Sequence, residues 1–157
     1  MSIVLARIDD RLIHGQVMTS WLNYTGANRI IIVDDETAND TFLKMIVTSV
    51  APANIKTEVF GINEGAEAIK QLADSDKVII LAKSPGVYVE LMSQGIPLEK
   101  VNIGGMGAKE GRTKFYKNIS ASSEEKESLK KLIDAGAAVA IQIIAEDKAI
   151  DVAKLLT

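Results

Sequence analysis

Short apolar runs rich in β-branched residues alternate with amphipathic segments along the whole chain. Ile30-Ile31-Ile32-Val33 and Val78-Ile79-Ile80-Leu81 are continuous apolar stretches rather than alternating ones, the pattern of strands covered on both faces of a parallel sheet. Strands are predicted at Ile3–Ile8, Arg29–Val33, Thr57–Ile62, Lys77–Leu81, Val101–Ile103 and Ala138–Ile143. Between them, Phe42, Met45, Ile46 and Val50 recur at helical spacing within Asn39–Val50, and Ile150, Ala153 and Leu156 share a stripe within Asp147–Leu156. Ser84-Pro85 reads as an N-cap followed by proline at the first helical position. Ser122 and Glu125 have capping-box spacing, and Gly136 follows Leu129, Leu132 and Ile133 as a C′ glycine. The glycine-rich, basic stretch 104–117 reads as a long loop with room for one irregular strand. Strands alternating with helices imply right-handed crossovers, so the predicted fold class is α/β: an open, mostly parallel twisted sheet with helices on both faces. No internal repeat, low-complexity tract or linker interrupts it, and a single domain over residues 1–157 is expected.

Composition narrows the chemistry. The 157 residues are 47% hydrophobic and 25% charged, ordinary for one globular core. A net charge of −3 and the lack of a dense Lys/Arg run argue against a nucleic-acid partner. There is no cysteine, which removes disulfides, thiolate catalysis and Cys-based zinc sites. The one histidine, His14, excludes zinc sites built on two or three histidines of one chain. Arg7 interrupts the apolar N-terminus too early for a signal peptide. The longest nearly apolar stretch, 135–145, falls short of the about 20 residues that cross a bilayer. A cytoplasmic location is expected.

In doubly wound sheets, ligands sit beyond the carboxyl ends of the strands. There, after the first strand, lies Asp9-Asp10-Arg11-Leu12-Ile13-His14-Gly15-Gln16, followed by a helical pattern containing Val17, Trp21 and Leu22. A lone loop histidine is ordinarily solvated or a local cap. Here it is crowded by two carboxylates and flanked by Arg7 and Arg11. A neutral imidazole is a competent nucleophile towards phosphorus, and its ordinary pKa near 6.5 leaves it largely neutral at pH 7. Phosphoryl transfer needs positioning and charge neutralisation, which arginines and helix N-terminal amides supply.

The run from Arg7 to Val17, RIDDRLIHGQV, closely resembles the active-site motif of the IIB components of the bacterial sugar phosphotransferase system, mannose/fructose/sorbose family. The likeness continues through Val33-Asp34-Asp35, Ala38-Asn39-Asp40 and Val101-Asn102-Ile103-Gly104-Gly105-Met106 and covers nearly the whole chain. It implies a protein that accepts a phosphoryl group from phosphorylated IIA and passes it to a sugar imported through the membrane components IIC and IID. His14 would be the acceptor, through Nδ1. Arg11 and Arg7, with Gly15 and Gln16, would bind the phosphate, and Asp10 would order the loop or the imidazole. Asp34, Asp35, Lys83 and Ser84 would stand around them. The resemblance implies no metal, no cofactor and a protein peripherally associated with the membrane transporter. A homodimer is left open. A fused IIA domain would need a second histidine, which the chain lacks.

Other segments have simpler readings. The loop 103–112 fits neither the P-loop nor G-x-G-x-x-G; its residues read as a flexible turn needing positive φ, while the resemblance implies a wall of the site or a partner-contact loop. Asp34-Asp35 lacks the glycine fingerprint of a dinucleotide site. Trp21, Phe42 and Phe60 sit at core-like spacings, and Glu124-Glu125-Lys126-Glu127 reads as a solvated first helical turn. No G-x-S-x-G elbow supports a serine hydrolase. Two rivals stay open: a protein of this fold whose phosphorylated His14 signals to a regulator, and a small-molecule enzyme using His14 as general acid or base.

Overall fold

A computed structural model of the protein describes residues 1–156. Its centre is a seven-stranded sheet built from β1 (Ser2–Asp9), β2 (Arg29–Val33), β3 (Lys56–Phe60), β4 (Lys77–Ala82), β5 (Lys100–Gly105), β8 (Ala138–Ile141) and β9 (Ile150–Asp151), in the order β3-β2-β4-β1-β5-β8-β9. All neighbours are parallel except β8 and β9. The continuous apolar runs occupy the middle: every residue of Ile30–Val33 and Val78–Leu81 is buried. Two separate cores explain why. On one face pack α1 (Gly15–Thr25), through Val17, Met18 and Trp21, and α3 (Thr41–Val50), through Val47. On the other pack α4 (Ile62–Lys70), α5 (Pro85–Ser93) and α6 (Ser123–Asp134), through Ala66, Ile69, Tyr88, Leu91, Leu129 and Leu132. The expected fold class is the one observed.

The local signals mostly act as expected. Ser122 and Glu125 form a complete capping box at α6, and Gly136, at φ +104°, follows its end. Ser84 precedes Pro85 at the start of α5, although its hydroxyl makes no capping bond. Elsewhere tertiary pairing overrides periodicity. The stretch 104–117 holds the loop and the one irregular strand expected of it, but pairing adds to both ends: β5 extends to Gly105, and β6 (Thr113–Tyr116) pairs antiparallel with β7 (Ile119–Ala121). The stripe in 147–156 is not an α-helix. Ile150 pairs with Ile141 on the sheet edge, and a short 3-10 turn, Val152–Leu155, follows. Phe42 is no core residue. Helix α3 is apolar on two sides, and Val47 faces the sheet while Phe42 stays 63% exposed. Trp21 is buried and Phe60 half-buried.

Tyr88 ties α5 to the sheet. Its hydroxyl lies 2.7 Å from the Arg7 carbonyl oxygen and 2.9 Å from that of Ile80, and donates between them. Burial pushes the phenol well above its ordinary pKa, so it stays a donor. Tyr88→Phe leaves the packing and removes this bond, and should lower unfolding stability by about 1 kcal/mol. Denaturant midpoints measure it, and an unchanged midpoint would show the bond to be energetically neutral.

Candidate functional site

The chain order creates a crevice. The connection after β1 runs through α1 towards β2, whereas the connection after β5 leads the opposite way to β8. Adjacent parallel strands whose connections diverge leave their carboxyl ends open, where ligands of open α/β sheets bind. Both strands end there in the segments that carry the candidate chemistry: Asp10–His14 after β1 and Met106–Arg112 after β5.

The loop after β1 is held tightly. The Leu12 amide donates to the Asp9 carbonyl (2.9 Å), and Ile13 donates to that of Arg11 (2.8 Å). These turns force buried Leu12 to φ +61°, a conformation that a leucine keeps only when its surroundings over-determine it. His14 emerges from this turn exposed, as the N-cap residue of α1, with no capping bond from its side chain. Exposed Gly15 and Gln16 begin the helix, so their amides and that of Val17 have no intrahelical acceptor and face the N-terminal end. A phosphate on the imidazole would meet those donors and the positive end of the helix dipole.

Two carboxylates anchor the loop in two directions. Asp9, 1% exposed, accepts from the Arg11 backbone amide and from Arg11 Nε and Nη2, all at 3.0 Å. The hydrogen bonds to Asp9 raise the pKa of Arg11, and its guanidinium is half exposed towards solvent. Beneath it, Arg7 is also 1% exposed. Its guanidinium donates to Asp9 Oδ2 (3.3 Å), Asn102 Oδ1 (2.7 Å) and the Gln142 carbonyl (3.1 Å), and lies 5.8 Å from the Trp21 ring. Burial lowers its pKa, opposed by Asp9. Gly104 is required here, because a Cβ would overlap the Arg7 guanidinium. Arg7, expected among the phosphate ligands, is therefore placed under the loop as a support for Asp9.

Asp10 points the other way. It accepts from the Gly107 amide (2.8 Å) and from both terminal nitrogens of Arg112 (2.8 and 2.9 Å). Arg112 also binds Glu125 through Nε and Nη2 (2.9 and 2.8 Å). Glu125 is thus more than part of a solvated turn: its carboxylate closes the capping box and holds Arg112. Burial works against the ionised forms of Asp10 and Glu125, but their bonds with Arg112 and backbone amides prevail and hold both below the ordinary carboxylate range. Folded pKa values below the unfolded ones mean that this clamp stabilises the fold above about pH 4 and is lost as pH falls through the depressed values. Denaturant midpoints should change little through this clamp between about pH 5 and 7 and drop below about pH 4, with a smaller drop in Asp10→Asn. Equal acid sensitivity of the two proteins would contradict it.

Of the remaining expected residues, Asp34, Asp35 and Lys83 stand apart from the loop. Asp34 accepts from the Thr37 amide and hydroxyl (3.1 and 2.6 Å) and pairs with Lys83 (3.2 Å). Burial opposes the Lys83 charge, yet Asp34 and Glu36 raise its pKa. Asp35 accepts from the Ile62 amide at the start of α4 (2.9 Å). Ser84 lines a cleft with Arg112 and Glu125. Asp34, Asp35 and Lys83 share the carboxyl edge of the sheet, but β2 lies beyond β4 from β1, and their bonds run to one another, to Thr37, Glu36 and the start of α4 rather than to the His14 loop; Ser84 instead borders the Arg112 clamp. Arg112, Asn102 and Gln142 were not singled out as site residues by the sequence, although Asn102 falls in the family likeness and Arg112 in the loop after β5. The bonds that bring them to the site join positions far apart: Arg7 to Asn102 and Gln142 across 95 and 135 residues, and Arg112 to Asp10 across 102.

Beside the loop, Val50 of α3 lies against the start of α1: a Cβ at Gly15 would sit 3.9 Å from its Cγ1. From there Val50, Ile46, Met45 and Phe42 run along α3 with 40 to 63% of their surface exposed. Among the described residues, no helix is long and apolar enough to cross a membrane.

Comparison with known proteins places the fold and the family. The fructose-specific EIIB component of Bacillus subtilis is 34% identical over 99% of this chain and 96% of its own length. The mannose-specific EIIAB component of Escherichia coli K12 is 34% identical over all of this chain, which spans 49% of it. The crystal structure of the IIBSor domain of the Klebsiella pneumoniae sorbose permease, 30% identical, superposes with a TM-score of 0.93 over 99% of this chain and 96% of that domain. A family model for the sorbose-subfamily IIB component of the phosphotransferase system matches residues 3–157, and the chain belongs to that family.

Proposed function

We propose that the protein accepts a phosphoryl group on His14 from a phosphorylated IIA domain and delivers it to a sugar at the membrane components IIC and IID. The observation that carries this reading is an exposed imidazole with no capping bond at the N-terminus of α1, three residues after Arg11, whose guanidinium Asp9 holds in place. In the first step the neutral imidazole attacks phosphorus in line and the donor's phosphorus–nitrogen bond breaks. Arg11 and the amides of Gly15 and Gln16 spread the charge on the phosphoryl oxygens. In the second, a sugar hydroxyl oxygen attacks phosphorus, the bond from phosphorus to the His14 nitrogen breaks, the imidazole leaves neutral and the hydroxyl proton is released to solvent. Neither step needs a deep pocket, and His14 stands exposed at the surface.

A protein donor suits the site better than a metabolite. Two histidines must approach each other, so the donor's surface has to cover the surroundings of His14, and a standard interface covers about 800 Å² per partner. The exposed face of α3 falls next to that contact and has the apolar character of an interface core. Met45→Lys should raise the half-saturating concentration of phosphorylated IIA about tenfold and leave the saturated rate within about twofold. An unchanged concentration dependence removes α3 from the interface. The reading as a whole is tested by phosphoryl transfer from phosphoenolpyruvate through the general carriers and IIA. Acid-labile, base-stable label on the protein, passed on to sugar with IIC and IID present, is the expected result. No label with active donors would overturn it.

A further inference from the structure

Arg112 is the most fully engaged side chain at the crevice, and no part of the proposed transfer uses it. A guanidinium has five N–H donors. All are taken: Nε by Glu125, Nη1 by Asp10 and the Gly107 carbonyl, Nη2 by Asp10 and Glu125, at 2.8 to 2.9 Å. Its side chain is 1% exposed. Arg112 therefore has neither a spare donor nor the access to bind a phosphoryl group. What it does bind joins three segments distant in sequence: the His14 loop through Asp10, the loop after β5 through Gly107, and the N-terminus of α6 through Glu125.

The strained part of the loop begins two residues after Asp10, at Leu12. A positive φ at leucine relaxes unless both sides of the turn are held. Asp9, with Arg7 and Arg11, holds the turn from beneath, and the Asp10–Arg112 fork holds it from the side facing β5. The fork also neutralises a carboxylate that would otherwise add negative charge beside an incoming phosphate. We propose that Arg112 is a positioning residue for phosphoryl transfer: through Asp10 it fixes the turn that aims His14 and Arg11. This rests on the carrier reading above. Lysine cannot replace it, because an ammonium offers three donors from one point where the site requires a planar fork with five.

The test is single-turnover transfer from phosphorylated IIA at varied donor concentration, well below the melting transition. It compares wild type, Arg112→Lys, Asp10→Asn and the double variant, with thermal melting followed on each. Arg112→Lys is expected to lower the saturated rate about tenfold, the scale of small misplacements of reacting groups. The half-saturating donor concentration should stay within about twofold, since a buried side chain does not meet the partner. The double variant should be no slower than the slower single one, because both act through one contact. A wild-type rate in Arg112→Lys, a loss confined to the half-saturating concentration, or losses that multiply would each overturn the proposal. Should Arg112→Lys fail to fold, Glu125→Gln decides. Glutamine keeps the capping box but loosens the other half of the fork, so slowed transfer is expected and an unchanged rate overturns it. A wild-type protein that takes no phosphoryl group from an active donor would instead defeat the carrier reading itself.

Discussion

His14→Gln should leave the fold intact and abolish phosphoryl uptake. The imidazole is exposed and makes no capping bond to α1, and a surface substitution of this kind changes stability by no more than about 0.5 kcal/mol. Its loss removes the chain's one imidazole, and glutamine has no nitrogen nucleophilic enough to attack phosphorus. Transfer should fall at least about 10⁴-fold, to the limit of detection. Label from phosphorylated IIA, compared with thermal melting of both proteins, measures the two effects separately. Equal label on wild type and variant would move the phosphorylated residue away from this loop.

The second large effect concerns stability. Arg7→Ala leaves Asp9 buried without the cation beneath it and opens the space between Asn102, Gln142 and Trp21. Removing one partner of a buried pair costs about 3–5 kcal/mol, a large share of the roughly 5–15 kcal/mol that holds a domain together. For a chain of this length the melting temperature should drop by about 10 °C. Arg11→Ala makes the opposite prediction, although both arginines bind the same carboxylate. Arg11 is half exposed, and without it buried Asp9 keeps Arg7 beneath it, so the cost should lie nearer that of a solvated pair, about 0–1 kcal/mol, than that of a buried one, and the fold should survive. Transfer should slow by about a hundredfold as the phosphoryl charge loses the guanidinium assigned to it. Melting curves and transfer rates of the two variants form one experiment. Similar melting temperatures, or equal transfer losses at temperatures where both are folded, would show that burial does not divide their roles.

This division of labour marks the boundary of what could be read along the chain. Arg7 and Arg11 flank the same motif and look equivalent as a pattern of charges. Register separates them: Arg7 lies within β1, paired with Leu81 and Asn102, and points into the sheet's covered side, while Arg11 lies beyond the strand. Phe42 gives a similar lesson. Helical spacing identified its stripe, but α3 is apolar on two sides, and only packing through Val47 determines which side faces water.

What the sequence alone determined is local or periodic. The parallel sheet followed from continuous apolar runs, which only two covered faces can satisfy. The caps of α5 and α6 followed from spacings of three residues or fewer, and the candidate site from a motif contained in one loop. Only the tertiary structure decided that β9 pairs with β8, that Asp34 and Lys83 form a group apart from His14, and that Arg112 closes on Asp10 across 102 positions. Such contacts depend on the order in which strands assemble. A hydrogen bond acts over about 3 Å in space, and no periodicity along the chain records which distant residues the sheet will bring within that reach.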